Sequence, residues 1–308
     1  MIGLYGKLKL EIQVTDMKEK IIFALGFFDG VHLGHAQLLW QCKRLAGQVG
    51  AKTGAITFEK HPKSLFLSQP PVLINSIEDR MELLRENAME QICVLPVTRE
   101  SMTQPWQEFL RMLLQKGAVG FVCGDDFRFG HKGEGNPQKL GDFCREQGMP
   151  LVVVPEQTLE GVRISSTHIR GLIESGDVET AAKFLGHPHI LSGDVVHGRH
   201  LGRTIGIPTA NVLIPEGVVV PRLGVYACTC DLEGKTYVTV TNIGSRPTVG
   251  GHQVRAESWI LDFDGDLYDA RITLRFQKFL RPEIKFDSLE ALQKQIQHDA
   301  AAAFRLLK

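Results

Sequence analysis

No uncharged run in the 308 residues approaches the roughly 20 that cross a bilayer, and the opening MIGLYGKLKLEIQVTDMKEK has no apolar core long enough for a signal peptide. A cytoplasmic protein with no membrane partner is expected. Charge of one sign is not in excess: Lys plus Arg and Asp plus Glu both number 35. No overall field therefore draws the chain to nucleic acid. The six cysteines make no CxxC pair; Cys228 and Cys230, two apart on an expected strand, read as buried thiols rather than metal ligands. Internal repeats, low-complexity linkers and the GxxxxGK[ST] phosphate loop are also missing.

The length calls for two domains, each burying its own core. Up to about Gly186, the apolar segments IIFAL, GAITF, ICVLP, VGFVCG and LVVVP alternate with helical stretches beginning near Ala36, Glu78, Pro105 and Pro137. That alternation predicts a parallel sheet covered on both faces. Short helices are expected over Ser166 to Glu174 and Val178 to Leu185, ending at Gly176 and Gly186. From His187 the rhythm becomes alternating β segments, with hairpins expected to turn at Glu233-Gly234 and Asp264-Gly265. These predict an antiparallel barrel or sandwich, closed by a C-terminal helix whose Leu289, Leu292, Ile296 and Ala300 form an apolar stripe. The expected division is 1–186 and 187–308, with no linker to hold the halves apart.

Residues Gly26 to His35 read GFFDGVHLGH, a glycine-rich turn between an apolar strand and an amphipathic helix. Free N–H groups of a helix's first turn favour an anion placed against them, and glycines let a ligand approach. His32 and His35, three apart, face one side and could both hydrogen-bond a phosphate. In RISSTHIRGLIESGD, the hydroxyls of Ser165, Ser166 and Thr167 stand where a helix begins, with Arg170 one turn on; they can cap the helix or donate to phosphate oxygens. In the second half, GRHLGRTIGIPTAN combines Gly198, Gly202 and Gly206 with Arg199 and Arg203, which by themselves read as a plain β-turn and, with the PTAN that follows, as a loop able to close over phosphates. Thr209 and Asn211 alternate after a rigid proline, so their oxygens can share a side and suit one hard cation.

GFFDGVHLGH resembles the HxGH signature of nucleotidyltransferases, and ISSTHIR is similar to the triphosphate-binding segment of that superfamily. Together with TFEKHP and CGDDFRFGHKGEG they resemble the N-terminal module of the bifunctional riboflavin kinase and FMN adenylyltransferase family, the prokaryotic FAD synthetases. PTAN, GVYA, NIGSRPTVGG, ESWILDFDGDLYD and RPEIKF are similar to its riboflavin kinase module. The resemblance implies a Rossmann-like nucleotidyltransferase domain followed by an antiparallel β-barrel with a terminal α-helix. It implies AMP transfer from ATP to FMN in the first half, with His32 and His35 on the α- and β-phosphates. Gly26, Phe27, Asp29, Gly34, Ser165, Ser166, Thr167 and Arg170 would complete the ATP site, with Phe58, Asp126 and Phe129 on the flavin side. In the second half it implies riboflavin phosphorylation, with Glu257 as base, Thr209 and Asn211 holding Mg²⁺, and Gly198, Arg199, Gly202, Arg203 and Gly206 covering ATP. Without the resemblance, Glu257 reads as a solvated strand residue. ISSTHIR stands in place of the KMSKS loop of a class I aminoacyl-tRNA synthetase, which also has an HxGH-like turn. Phe27 and Asp269 depart from the family pattern. The implied partners are riboflavin, FMN and ATP; one working half alone, or a flavin-binding regulator, are the rivals, and oligomeric state has no sequence signal.

Overall fold

The computed structural model describes residues 19–196, 206–232, 234–248, 251–265, 267 and 270–308. Strands β1 (Ile21–Leu25), β2 (Lys52–Phe58), β3 (Gln91–Leu95), β4 (Ala118–Gly124) and β5 (Leu151–Val154) form a parallel sheet in the order β3-β2-β1-β4-β5. Every residue of β1 is buried because both faces of the sheet are covered. Ile22 and Ala24 meet Leu38, Leu39 and Cys42 of α1 (Leu33–Val49) and Leu83 and Leu84 of α2 (Ile77–Glu86). Ile21, Phe23 and Leu25 meet the opposite layer, which α3 (Arg99–Thr103) precedes: α4 (Trp106–Gln115) and α5 (Pro137–Gln147). A small ribbon, β6 (Thr158–Leu159) and β7 (Val162–Arg163), leads into α6 (Ser166–Ser175) and α7 (Val178–Leu185). The strand order reverses at β1, and the crevice beyond β1 and β4 is where open α/β sheets bind ligands.

The second half is a closed barrel of β8 (His189–Val196), β9 (Ala210–Leu213), β10 (Gly224–Leu232), β11 (Lys235–Thr248), β12 (Gly251–Ile260) and β13 (Arg271–Arg281), in the order β10-β11-β12-β9-β8-β13. Cys228 and Cys230 lie fully buried in its interior as free thiols. The first expected hairpin is present, with Leu232 pairing Lys235 across the turn. The second expectation fails: β12 and β13, on either side of Asp264-Gly265, are not neighbours. β12 instead pairs β11, with Thr248 opposite Gly251, and β13 closes the barrel against β10 and β8. A turn signal fixes where a strand ends, and barrel closure decides which strand it joins.

The C-terminal helix α8 (Leu289–Leu307) packs outside β10 and β11. Its buried face is centred on Asp299, Ala300 and Ala303, while Leu289 of the expected stripe is exposed. Asp299 is buried because the Arg281 fork reaches it, with Nη2 at 2.8 Å and Nε at 3.0 Å. Removing one partner strands a charge in a dry setting. Asp299→Ala is expected to cost about 3 kcal/mol, read as a lowered urea midpoint with an unchanged slope.

The halves are in direct contact. Leu73 N–H donates to Gly217 O at 2.8 Å and Val219 N–H to Leu73 O at 2.7 Å, a two-bond β-bridge between the domains. Ile74, Ile169, Ile173, Phe184 and Val219 share a core at this seam. Glu86 with Arg275 and Glu179 with Lys278 flank it.

Candidate functional site

β1 delivers the chain to a turn of unusual backbone. Phe28 (φ 59°), Gly30 (φ 78°) and Val31 (φ 39°) are left-handed. For Phe28 and Val31 that conformation is strained, and buried packing of both side chains holds it. Helix α1 then begins at Leu33, earlier than the expected Ala36, because the His32 ring serves as its cap: Nδ1 accepts the His35 N–H at 3.3 Å. The His32 and His35 rings stack, with centroids 3.7 Å apart and planes 11° from parallel. Gly34 makes this possible, since a Cβ there would meet the His32 ring at 3.2 Å.

Burial lowers the His32 pKa to about 4. His35 keeps a partly exposed edge, yet its Nδ1 is buried without a partner among the described residues, and burial, then His32 and Arg80, push it well below the usual value. Both rings are therefore neutral near pH 7, a form in which each keeps one N–H able to donate to an anion. His189, buried against Phe276 with neither ring nitrogen bonded among the described residues, is lowered to about 3. These histidines refuse protons in the fold that they accept once unfolded. Their stabilisation is full above about pH 6.5 and is lost as pH falls toward 4, on the order of 3 kcal/mol for His32. An acid titration of the unfolding midpoint should show that decline, with a shallower one for His189→Leu.

A cavity of about 1010 Å³ opens at the turn, in the crevice beyond β1 and β4. Gly26, Phe27, His32, Gly34 and His35 line one wall; Phe58, Asp126, Phe129, Ser165 and Ser166 line others. Ser165 is also the cap of α6, accepting from His168 N–H. Phe129 is nearly buried among Trp106, Phe109 and Phe127; Phe127 and Arg163 are cavity residues not singled out from the sequence. Asp126 is exposed, 3.8 Å from Arg163.

Asp29, Thr167 and Arg170 stand beside the cavity and not in its wall. Asp29 is 3% exposed, accepts Ile74 N–H at 2.8 Å and pairs with Arg170 at 2.8 Å. Burial raises its pKa, against the Ile74 N–H, Arg80 and Arg170. Thr167 Oγ1 accepts from Arg170, and Ser166 Oγ donates to Asp29 O at 3.1 Å. These contacts stitch the first motif to the second.

Arg80, which no motif flagged, is fully buried on α2. Its Nη1 donates to Phe58 O (2.8 Å), Thr57 Oγ1 (3.2 Å) and Phe27 O (3.3 Å), joining the ends of β1 and β2. Its Cζ lies 4.2 Å from the Phe27 ring centre. Burial lowers its pKa to about 10, opposed by Asp29 and Glu78, so it stays charged at neutral pH. Phe27 is thus the cover of a buried cation.

In the barrel half, Glu257 on β12 stands opposite Asn211 on β9 and Asn242 on β11. Alternation turns Ala210, Val212 and Ala256 into the core and this polar row to the outer face. Thr209 is exposed just before β9, and its carbonyl accepts Asn211 Nδ2 at 3.4 Å. Asn242 Nδ2 donates to Glu283 Oε1 at 3.1 Å; Gly244 leaves room, since a Cβ there would meet that oxygen at 2.8 Å. Asn242 and Glu283 belong to the NIGSRPTVGG and RPEIKF segments, from which the sequence assigned neither a role. Gly206 is exposed with φ 71°, while Gly198, Arg199, Gly202, Arg203 and Asp269 lie outside the described residues. Among the described residues no group of three or more His, Cys, Asp or Glu is placed to hold a metal.

Comparison with known proteins gives two family matches on the one chain: FAD synthetase over residues 14–168 and riboflavin kinase over residues 185–307. The bifunctional riboflavin kinase/FMN adenylyltransferase of Listeria monocytogenes is 35% identical, over 92% of this chain and 91% of its own. The protein of the same description from Escherichia coli K12 is 36% identical, over 93% and 92%. A solved structure from Streptococcus pneumoniae, described as a macrolide-efflux protein, matches with TM-score 0.83 and 28% identity, over 94% and 96%. That description belongs to the neighbour; among the described residues here, no helix is long and apolar enough to cross a membrane. Order of domains, identity and coverage agree, and the chain belongs to the bifunctional riboflavin kinase/FMN adenylyltransferase family.

Proposed function

We propose that this chain is a cytoplasmic enzyme that phosphorylates riboflavin to FMN in its barrel half and transfers AMP from ATP to FMN in its α/β half, releasing pyrophosphate. The observation that carries the second activity is the stacked, neutral His32–His35 pair in the wall of a cavity roomy enough for two ligands. An FMN phosphate oxygen attacks the α-phosphorus directly as the bond to the β-phosphate oxygen breaks. The protein's part is alignment and stabilisation of charge on the departing pyrophosphate. Imidazole N–H groups of His32 and His35 donate to phosphate oxygens, and the Ser165–Ser166 end of α6 faces the rest of the nucleotide. Phe58, Phe129 and Asp126 bound the flavin side.

In the barrel, the Glu257 carboxylate takes the proton of riboflavin's terminal hydroxyl as that oxygen attacks the γ-phosphorus and ADP leaves. Hydroxyl and amide oxygens of Thr209 and Asn211 beside a carboxylate are a hard, oxygen-only donor set that fits Mg²⁺. When bound, Mg²⁺ offsets phosphate charge. Chromatography of products from riboflavin, ATP and Mg²⁺ tests the proposal. FMN together with FAD supports both sites; FMN alone retires the first-half claim, and unchanged riboflavin retires the kinase.

A further inference from the structure

The adenylyl-transfer turn GFFDGVHLGH itself contains no Lys or Arg; Lys63, Arg128, Lys132 and Arg163 line the cavity from other segments. His32 and His35 are neutral, and Arg170 is spent on Asp29 at 2.8 Å. Yet a nucleoside triphosphate is polyanionic, and breaking its α,β bond loads more charge onto pyrophosphate. Arg80 is a guanidinium that no carboxylate among the described residues hydrogen-bonds, although Asp29 and Glu78 lie near enough to favour its charge. Its Nη1 is shared among neutral oxygens, and its Nε and Nη2 are fully buried with no hydrogen-bond partner among those residues. Burying a charge with unpaired donors is costly, and such groups in native proteins call for a reason. The Phe27 ring, itself part of the cavity wall, covers this cation on the side of the nucleotide cavity. The charge is also near enough to disfavour protonation of His35.

We propose that Arg80 is a positioning residue for adenylyl transfer: the resident positive charge behind the His32–His35 turn, which also ties the ends of β1 and β2 at the cavity's edge. This rests on reading that turn as the phosphate site. The cation is fixed before substrate arrives, so no reorganisation is needed as charge develops, and Phe27 keeps water from screening it. It also gives the departure at Phe27 a purpose, as the lid on that charge.

The test uses the full chain with Arg80→Met, Arg80→Lys and His35→Ala, assayed for pyrophosphate release from FMN plus Mg-ATP, with riboflavin phosphorylation in the same molecules as the folding control. Arg80→Met is expected to lower kcat for adenylyl transfer about 100-fold, with a smaller rise in KM for ATP, and Arg80→Lys to regain about tenfold of that loss. Kinase activity should stay within about twofold of the parent in both. Adenylyl transfer within about threefold of the parent in Arg80→Met overturns the inference, as does Arg80→Lys no better than Arg80→Met with the kinase intact. Where Arg80→Met loses both activities, Arg80→Lys decides alone: a rate within about tenfold of the parent supports the charge, and a loss of about 100-fold with intact kinase refutes it. His35→Ala at full activity would instead remove the phosphate-site reading beneath the inference, whereas a dead His35→Ala beside a normal Arg80→Met removes the inference alone.

Discussion

Replacing Glu257 with glutamine is expected to lower riboflavin phosphorylation by about 100- to 10,000-fold, the range attributable to a positioned general base, while FAD formation from supplied FMN continues at the parent rate. The substitution keeps the size of the side chain and removes only its capacity to take a proton. Its position makes the effect local. Glu257 faces Asn211 and Asn242 across the outer face of the barrel, whereas Ala256 and Ser258 on either side are buried inward. A solvated strand glutamate would instead lose nothing measurable on becoming glutamine. ADP release from riboflavin and ATP separates the two.

Loss of either stacked imidazole is the second large effect. His35→Ala and His32→Asn are each expected to cost about 100-fold or more in kcat for pyrophosphate release, the scale of one preorganised donor to a developing anion, with riboflavin phosphorylation unchanged. Asparagine is the informative choice at His32, because that ring also caps α1, and asparagine is a good cap. Alanine would remove cap and donor together and blur the result. Because the pKa of His32 is held near 4 by burial, any inflection of adenylyl transfer near pH 6 to 6.5 should be that of the FMN phosphate, whose second pKa is about 6, and should persist in His32→Asn. An inflection there, abolished in His32→Asn, would mean that the imidazolium is the working form.

Much of this could be read from the chain before any coordinates. Continuous apolar strands such as IIFAL, followed by a glycine turn and an amphipathic helix, announce a parallel sheet because each strand is buried on both faces. Contacts within a motif were legible for the same local reason, including the His32–His35 proximity. What failed was non-local. Asp264-Gly265 is a genuine chain reversal signal, yet β12 and β13 separate because closing the barrel places them against other strands. Asp299 sits on the buried face of α8, against its polarity, because Arg281 lies eighteen residues earlier on β13 to receive it. Arg80 belongs to no motif, and Asn242 and Glu283, though members of NIGSRPTVGG and RPEIKF, show their pairing only once the fold brings the two segments together. Asp29 and Arg170 were visible as motif members, but their pairing with each other, across the fold, was not.

One chain is expected to carry separate and self-sufficient sites for its two reactions. Mixing the Glu257→Gln and His35→Ala chains with riboflavin, ATP and Mg²⁺ tests it most directly. Alone, the first should leave riboflavin untouched and the second should stop at FMN; together they should yield FAD, the FMN made by one chain being consumed by the other. A mixture that accumulates FMN and forms no FAD, while Glu257→Gln still converts supplied FMN, would contradict it.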